Sequence, residues 1–179
     1  MKENLKLNKI MDSNIMIDFY TKLSNDLSDE LNSKGFRFVE FNSYMENIEL
    51  AVMKEDDDIV GYALLERADK MNQDLYMDML YGAEDDCMAL EEGSCDINYL
   101  NLNRELLTIL KNKDFYYLSY MEILEQYQGK GCGSILASKV KDKYHKIVLV
   151  ASGYTEENTS KDFWIKQGYK DMDSLMFNK

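Results

Sequence analysis

The chain has 179 residues and carries 21 basic against 33 acidic side chains, a net charge of −12. This length favours a single domain (residues 1–179), and an apolar content of 45% indicates a folded core rather than a disordered acidic tail. The acidic balance excludes a general nucleic-acid binder, whose phosphate contacts need basic surfaces, and suits cationic ligands better.

Composition also limits the metal and catalytic sites that the chain can build. His145 is the only histidine, which argues against a histidine-based metal site and against a Ser-His triad. The three cysteines, Cys87, Cys95 and Cys132, match no zinc or redox spacing, so we expect reduced thiols, a cytoplasmic protein and no bound metal. We expect no signal peptide, because residues 1–10 lack an apolar core, and no membrane span.

The N-terminal region predicts a strand followed by a helix. Residues 5–10 alternate apolar with polar side chains, as a strand does, and Asp12 can cap a helix over residues 13–33. Gly35 stands where a C-terminal cap belongs. The predicted helix carries an apolar stripe that repeats every four residues: Ile15, Phe19, Leu23, Leu27 and Leu31.

A hairpin is predicted next. Residues 36–41 form a short aromatic strand or an extended segment, and residues 50–54 and 59–66 read as the two strands of the hairpin. Its tip holds four consecutive acids, residues 55–58. We interpret the tip as a solvated turn, because EF-hand calcium loops need alternating ligands and a glycine.

The segment from Met71 to Asn103 is predicted to be a partly structured acidic insertion within residues 67–114. It contains no basic side chain, although it keeps enough large apolar residues to fold in part. Residues 104–111 then predict a short amphipathic helix. The eight acids of the segment are Asp74, Asp78, Glu84, Asp85, Asp86, Glu91, Glu92 and Asp96.

The C-terminal half predicts alternating strands and helices. A central strand over residues 116–124 is followed by a helix over 131–146 and a short apolar strand over 147–151. A last helix over 157–167 ends at Gly168, and the remaining residues can form a terminal strand.

Three glycines, Gly129, Gly131 and Gly133, fall between the central strand and the following helix. Glycines there let the backbone approach a ligand, and helix-start amides and the helix dipole favour negative charge. The pattern therefore indicates a diphosphate cradle, with a plain tight turn as the alternative. It is neither a P-loop, because Gly131 follows Lys130, nor a dinucleotide fingerprint, because Ser134 stands at the third glycine position.

The local charge supports an anionic ligand at this cluster. Residues 128–170 hold eight lysines against four acids, so this segment carries 8 − 4 = +4 and the rest of the chain −16. A solvated helix face is the alternative for many of these lysines. The basic excess nevertheless coincides with the glycine cluster in an otherwise acidic protein.

These residues resemble the GNAT N-acetyltransferase superfamily. Residues 128–133, Gln-Gly-Lys-Gly-Cys-Gly, match the family's coenzyme A motif of Gln or Arg, two residues, Gly, one residue, and Gly or Ala. The strand before them looks like the family's fourth strand, and residues 160–169 are similar to its next helix. The resemblance is clear over residues 116–170.

The resemblance implies an α/β (α+β) fold: a mixed, twisted central sheet with helices on both faces and the acidic insertion between strands three and four. Acetyl coenzyme A would enter where strands four and five splay. Backbone groups of residues 123–125 would pair with its pantetheine arm, and amides of residues 128–134 would hold its pyrophosphate. The implied cofactor-binding residues are Ile123, Leu124, Glu125, Gln128, Gly129, Lys130, Gly131, Cys132, Gly133, Ser134, Ser160, Phe163, Trp164 and Lys166.

The implied chemistry is direct attack of an amine on the thioester, which needs a base and a proton donor. Glu122 is the preferred base, with Glu125 and the acids of the insertion as alternatives. Trp164 replaces the family's usual tyrosine acid, so Tyr169 is taken as the donor, with Tyr127, Tyr154 or solvent as alternatives. Glu157 stands where the family often has asparagine, with Asn158 one place off. Cys132 is interpreted as a small core residue, although its helix-start position can lower a thiol pKa.

The leading expectation is therefore an acetyl-CoA-dependent N-acetyltransferase, monomeric or homodimeric. Its acceptor would be a cationic amine (a polyamine, an aminoglycoside, a lysine side chain or a basic peptide) attracted by the insertion, unless the insertion only aids solubility. A non-catalytic coenzyme A-binding module is the second hypothesis. A nucleotide-binding protein of another fold is the third.

Overall fold

The computed structural model describes residues 14–37, 39–42, 45–93, 96–151, 159–172 and 175–178. These residues form the predicted mixed α/β architecture, with the insertion between the third and fourth strands folded as two helices. The elements in chain order are β1 (Ile15–Tyr20), α1 (Asn25–Ser33), β2 (Ile48–Glu55), β3 (Asp58–Arg67), α2 (Gln73–Glu92), α3 (Ile97–Asn112), β4 (Tyr116–Ile123), α4 (Cys132–Lys143), β5 (Ile147–Leu149), α5 (Thr159–Lys166), β6 (Lys170–Met172) and β7 (Leu175–Phe177).

The strands form one seven-stranded sheet with the hydrogen-bonded order β1-β2-β3-β4-β5-β7-β6. Strands β1 to β3 pair antiparallel, and β7 pairs antiparallel with both β5 and β6. The parallel pair is β4 with β5, joined by the registers Tyr116↔Ile147 and Tyr117↔Val148. The predicted terminal strand is thus a hairpin of two short strands.

The chain divides into two compact units. The first combines Met1–Glu66 with Leu118–Lys143, and the second combines Arg67–Tyr117 with Tyr144–Lys179. The first unit holds the N-terminal hairpin, the end of β4 and α4. The second holds α2, α3, α5 and strands β5 to β7.

The helix predicted over residues 13–33 is wrong in its first half, which forms β1. Residues 15–20 are mostly β-branched or aromatic and pair with β2 from Ile15↔Glu55 to Tyr20↔Leu50. The helix begins only after Ser24, whose Oγ accepts a hydrogen bond from the Leu27 amide at 3.2 Å. The predicted strand over 5–10 and the cap at Asp12 lie outside the described residues.

The β2–β3 hairpin and the end of α1 confirm the predicted turns. At the hairpin tip Asp56 and Asp57 have φ values of +50° and +74°, the left-handed geometry that two-residue hairpins require. Both aspartates are exposed, as a solvated turn implies. Gly35, with φ +76°, follows Lys34, the C-cap residue of α1.

The segment after α1 forms no strand over its described residues. Its backbone is bound by helix side chains instead: Ser28 Oγ donates to the Phe41 carbonyl at 2.6 Å, and Asn32 Oδ1 accepts from the Phe41 amide at 2.8 Å. The rings of Phe36 and Phe41 meet the buried Tyr62 edge to face at 4.8 and 4.9 Å. These contacts place the segment against the core of the first unit.

The acidic insertion is a helical hairpin rather than a loop. Asn72 caps α2 and Asp96 caps α3 through side-chain oxygens that accept backbone amides at 2.8–3.0 Å. The helix predicted over 104–111 is therefore only the second half of α3. The apolar face of α3 packs into the core of the second unit, where the Tyr76 hydroxyl donates to the Leu110 carbonyl at 3.1 Å. Among the described residues, no helix is both long and apolar enough to cross a membrane.

Candidate cofactor-binding site

Three hydrogen bonds within the first unit fix the path of the backbone where it leaves β4. The Leu124 amide donates to the Val60 carbonyl on β3 at 2.9 Å, and the Tyr127 amide donates to the Leu124 carbonyl at 2.8 Å. The side chain of Gln128 reaches back, and its Nε2 donates to the Ile123 carbonyl at 2.8 Å. The 3₁₀ turn Glu125–Tyr127 therefore leads into the glycine cluster in a fixed geometry.

The glycine cluster forms the turn that opens α4. Gly129 has φ +68° and Gly131 has φ +92°, backbone conformations that residues with a Cβ rarely adopt. The Gly131 carbonyl accepts the first helical bond, from the Ile135 amide at 3.1 Å. The helix thus begins at Cys132, directly after the strained turn.

This turn fits a bound diphosphate. Amides in the first turn of a helix have no carbonyl partner within the helix, and the dipole places positive charge there. The first turn of α4 contains no acid that would repel an anion, and a Cβ built on Gly129 would meet nothing within 4 Å. Open space beside Gly129 and the amide donors of a helix start are what a phosphate group requires.

Lys130 and Cys132 occupy different environments on this turn. Lys130 is exposed, with its Nζ 5.1 Å from the centre of the Tyr127 ring, so its charge remains near the turn. The Cys132 side chain is buried, and desolvation raises the pKa of its thiol despite the opposing effect of Lys130. Cys132 is therefore a small core residue, as predicted, and burial outweighs the lowering of its thiol pKa that a helix start can cause.

Glu122 is buried near the end of β4 and is held by a backbone amide. Only 8% of the residue is exposed, and both carboxylate oxygens accept from the Arg37 amide, at 3.1 and 3.0 Å. The Arg37 guanidinium donates to Glu125 at 3.1 Å on the surface. A carboxylate has about four acceptor positions, so one N–H group leaves it able to take a proton.

A cavity lies beside Arg37, the residue whose amide holds Glu122. A cavity of about 350 Å³ in the first unit is lined by Arg37 together with Leu31, Asn32, Phe36, Val39 and Glu40. Sequence reasoning missed Arg37, because an isolated arginine 85 residues before Glu122 carries no motif. Its role follows only from the folded path of the segment after α1.

The predicted site residues of the C-terminal helix belong to the second unit. Trp164 is buried and packs edge-on against Phe163 and Tyr169, with ring centres 4.9 and 5.1 Å apart. Ser160 and Phe163 are half-buried, and Lys166 is exposed. Their contacts with a cofactor stay predictions. Tyr154, Glu157 and Asn158 lie outside the described residues.

Tyr169 is an unfavourable proton donor. It is buried, its hydroxyl has no hydrogen-bond partner among the described residues, and desolvation raises its pKa well above the ordinary value. Desolvation, followed by the charges of Glu55 and Asp58, also raises the pKa of Tyr127. Both phenols therefore hold their protons more tightly than a free tyrosine does.

Several acids of the insertion are already engaged within the second unit. Glu91 pairs with Arg104 and Glu84 pairs with Lys111, each at 2.8 Å. Asp96 is the cap of α3. The cationic-acceptor prediction therefore depends on the remaining acids rather than on all eight.

Comparison with known proteins shows the fold. YhhK from E. coli, named as a candidate N-acetyltransferase and solved with coenzyme A, superposes with a TM-score of 0.54 at 10% identity, covering 92% of this chain and 98% of that one. A candidate acetyltransferase of the GNAT family from Desulfovibrio desulfuricans gives 0.50 at 13% identity, covering 92% and 96%.

In sequence, an uncharacterized N-acetyltransferase from Staphylococcus saprophyticus, SSP1595, is 37% identical over 60 residues, which cover 34% of this chain and 38% of the relative's length. No family model matches the chain. The predicted resemblance and fold class are confirmed: the chain resembles GNAT N-acetyltransferases and has the GNAT fold.

Proposed function

We propose that the protein is an N-acetyltransferase that uses acetyl coenzyme A. The observation that carries the proposal is the glycine turn between β4 and α4, with positive φ values at Gly129 and Gly131 and open space beside Gly129. The structure of YhhK, which has this fold, is named as bound to coenzyme A. Fold likeness and motif thus point to the same ligand.

In this proposal the glycine turn binds the cofactor, and Glu122 near the end of β4 removes a proton from the acceptor amine. Amides of the glycine turn and of the start of α4 hold the pyrophosphate, and Lys130 adds positive charge beside them. The Gln128 amide is not among them, because it donates to the Glu125 carbonyl at 3.1 Å. When bound, acetyl coenzyme A supplies the acetyl group as a thioester. The acceptor amine is an ammonium ion near pH 7, so its nitrogen needs a base before its lone pair is available.

Glu122 is the proposed base. Its carboxylate is fixed by the Arg37 amide, which donates to both of its oxygens. Because burial makes Tyr169 a weak acid, we propose that solvent protonates the departing thiolate. The proposed acceptor is a cationic small molecule or peptide amine, and the proposed location is the cytoplasm.

Coenzyme A binding can be tested with two matched glycine variants. Gly131→Ala and Gly35→Ala both place a Cβ on a residue with positive φ, at +92° and +76°, but only the first lies on the proposed cradle. Both are expected to lose about 1 kcal/mol of stability from backbone strain. Calorimetry should show weaker coenzyme A binding for Gly131→Ala alone, and equal affinities would contradict the cradle.

Catalysis can be tested by thiol release with a panel of amines. Glu122→Gln keeps an oxygen that accepts from the Arg37 amide and removes the base, so kcat should fall by about 10²–10⁴ while coenzyme A affinity is retained. Asp29→Asn is the control, because it removes an exposed carboxylate of α1 to which the proposal gives no role. Tight coenzyme A binding without thiol release from any amine would instead indicate a non-catalytic coenzyme A-binding module.

A further inference from the structure

Arg37 contacts the end of β4 at two points. Its main-chain amide donates to both carboxylate oxygens of the buried Glu122, at 3.1 and 3.0 Å, and its guanidinium donates to Glu125 at 3.1 Å. Glu122 lies near the end of β4, and Glu125 begins the 3₁₀ turn that follows. One residue of the segment after α1 therefore binds the chain on both sides of the point where it leaves β4.

The orientation of the Glu122 carboxylate depends on the Arg37 main chain. In the part of the chain that the structure describes, the Arg37 N–H is the one group that donates to this carboxylate. The terminal torsion of a glutamate is broad, so a carboxylate with a single donor turns with that donor. A shift of the Arg37 amide would therefore move the Glu122 oxygens.

The segment that carries Arg37 is anchored at its two ends. The Phe36 ring packs against Tyr62 with 4.8 Å between the ring centres, and the Phe41 amide donates to a side chain of α1 at 2.8 Å. Between these anchors, the side chain of Arg37 forms its ion pair with Glu125. The anchors fix the neighbours of Arg37, whereas the ion pair fixes Arg37 itself against the end of β4.

We propose that Arg37 is a positioning residue for Glu122, and that its ion pair with Glu125 holds the Arg37 amide against the Glu122 carboxylate. The inference rests on the proposed acetyl transfer, in which Glu122 is the base. It makes Glu125 an anchor rather than an alternative base, because the Glu125 side chain is 81% exposed and its carboxylate already accepts from Arg37.

The expected effect on the rate is modest, because the ion pair is exposed. The Arg37 and Glu125 side chains are 58% and 81% accessible, and the loss of such a pair changes an equilibrium by about twofold to fivefold. Salt weakens exposed pairs, since the Debye length falls from about 30 Å at 0.01 M to about 3 Å at 1 M. The wild-type kcat should therefore fall about twofold to fivefold over this range of salt, and the kcat of Arg37→Ala should change less.

The kinetic test follows thiol release at saturating acetyl coenzyme A and amine. Arg37→Ala, Glu125→Ala and the double variant should lower kcat equally, by about twofold to fivefold, because all three remove the same ion pair. The coenzyme A affinity of Arg37→Ala should be unchanged, and Arg37→Lys, which keeps the charge, should recover most of the rate. The control is Arg67→Ala, which removes another exposed ion pair, with Asp69 at 3.0 Å, to which the proposal gives no role.

A second measurement does not depend on activity and follows the Arg37 amide proton in a ¹H–¹⁵N spectrum of the full chain. Hydrogen bonds to a carboxylate are stronger than those to a neutral amide, so Glu122→Gln should move this resonance upfield. If the ion pair holds the amide in place, Glu125→Ala should move the resonance in the same direction. Asp69→Ala, which breaks the control ion pair, should leave it unchanged.

An Arg37 amide resonance that Glu125→Ala leaves unmoved would overturn the inference, whether or not the protein is active. Additive losses of kcat in the double variant would also overturn it, and a loss above about 10²-fold in Glu125→Ala would show that Glu125 is the base. Absence of thiol release from any amine in the wild type would refute the proposed acetyl transfer. A wild-type kcat in Arg37→Ala would refute only the positioning role.

Discussion

Gly61 on β3 determines how closely β4 can approach at the candidate site. A Cβ added there would lie 2.9 Å from the Glu122 carbonyl oxygen and even closer to the end of the Ile123 side chain. The isoleucine tip can rotate away, but the carbonyl belongs to the backbone of β4. Gly61→Ala therefore forces a shift of the strand that carries Glu122.

The expected loss of stability is about 2 kcal/mol, because overpacking a buried site by one methyl group costs about 1–3 kcal/mol. Gly82→Ala is the matched control. Gly82 lies inside α2, where an added Cβ meets nothing within 4 Å, so the higher helix propensity of alanine should stabilise the protein by about 1 kcal/mol.

The two alanine variants should therefore change stability in opposite directions. At this chain length 1 kcal/mol corresponds to about 2–4 °C, so the melting temperature should fall by about 4–8 °C for Gly61→Ala and rise by about 2–4 °C for Gly82→Ala. Urea unfolding followed by circular dichroism should shift its midpoints in the same directions. A Gly61→Ala protein as stable as the wild type would refute the close approach of β3 and β4.

Three further outcomes follow from buried polar groups. Tyr169→Phe should match or exceed the wild-type stability at pH 7, because the hydroxyl has no partner among the described residues. Above pH 10 the free energy of unfolding of the wild type should fall by up to about 1.4 kcal/mol per pH unit relative to this variant. The cause is that the raised pKa keeps the Tyr169 phenol protonated in the folded state while it ionises in the unfolded state. Urea unfolding at several pH values that gives both proteins the same dependence of stability on pH would contradict this. Cys132 should react with iodoacetamide more slowly in the native protein than in urea, as peptide mass spectrometry can show, and equal rates would contradict its burial. Asn178→Ala should lose about 1–3 kcal/mol in urea unfolding, because Asn178 Oδ1 accepts from the buried Ile147 amide at 2.6 Å, and a loss within error would argue against that bond.

Local patterns predicted the second half of the chain well. The apolar strand over 116–124, the glycine turn and the helix after it are confirmed as β4, the turn at 129–131 and α4. These elements depend on interactions between near neighbours in sequence, such as the bond from Gln128 back to Ile123. The spacing of the glycines reflects such short-range interactions, so it could be interpreted from the sequence alone.

The N-terminal error has the opposite cause. Residues 15, 19, 23, 27 and 31 fit a helical period, but the first two lie in β1 because pairing with β2 satisfies that backbone. The partner strand is about 35 residues away, so a local period could not reveal it. The insertion was predicted as only partly structured for the same reason, since its helices gain stability by packing their apolar faces in the second unit.

The sequence by itself determined the acidic charge balance, the glycine turn before α4 and the resemblance to GNAT proteins, because each is a matter of composition or of short spacing. Tertiary structure decided that Glu122 is held by the Arg37 amide, that the Cys132 thiol is buried, and that the buried side-chain oxygen of Asn103 has no hydrogen-bond partner among the described residues. Burial and hydrogen bonding between distant residues set these properties, because both depend on which segments the fold brings into contact.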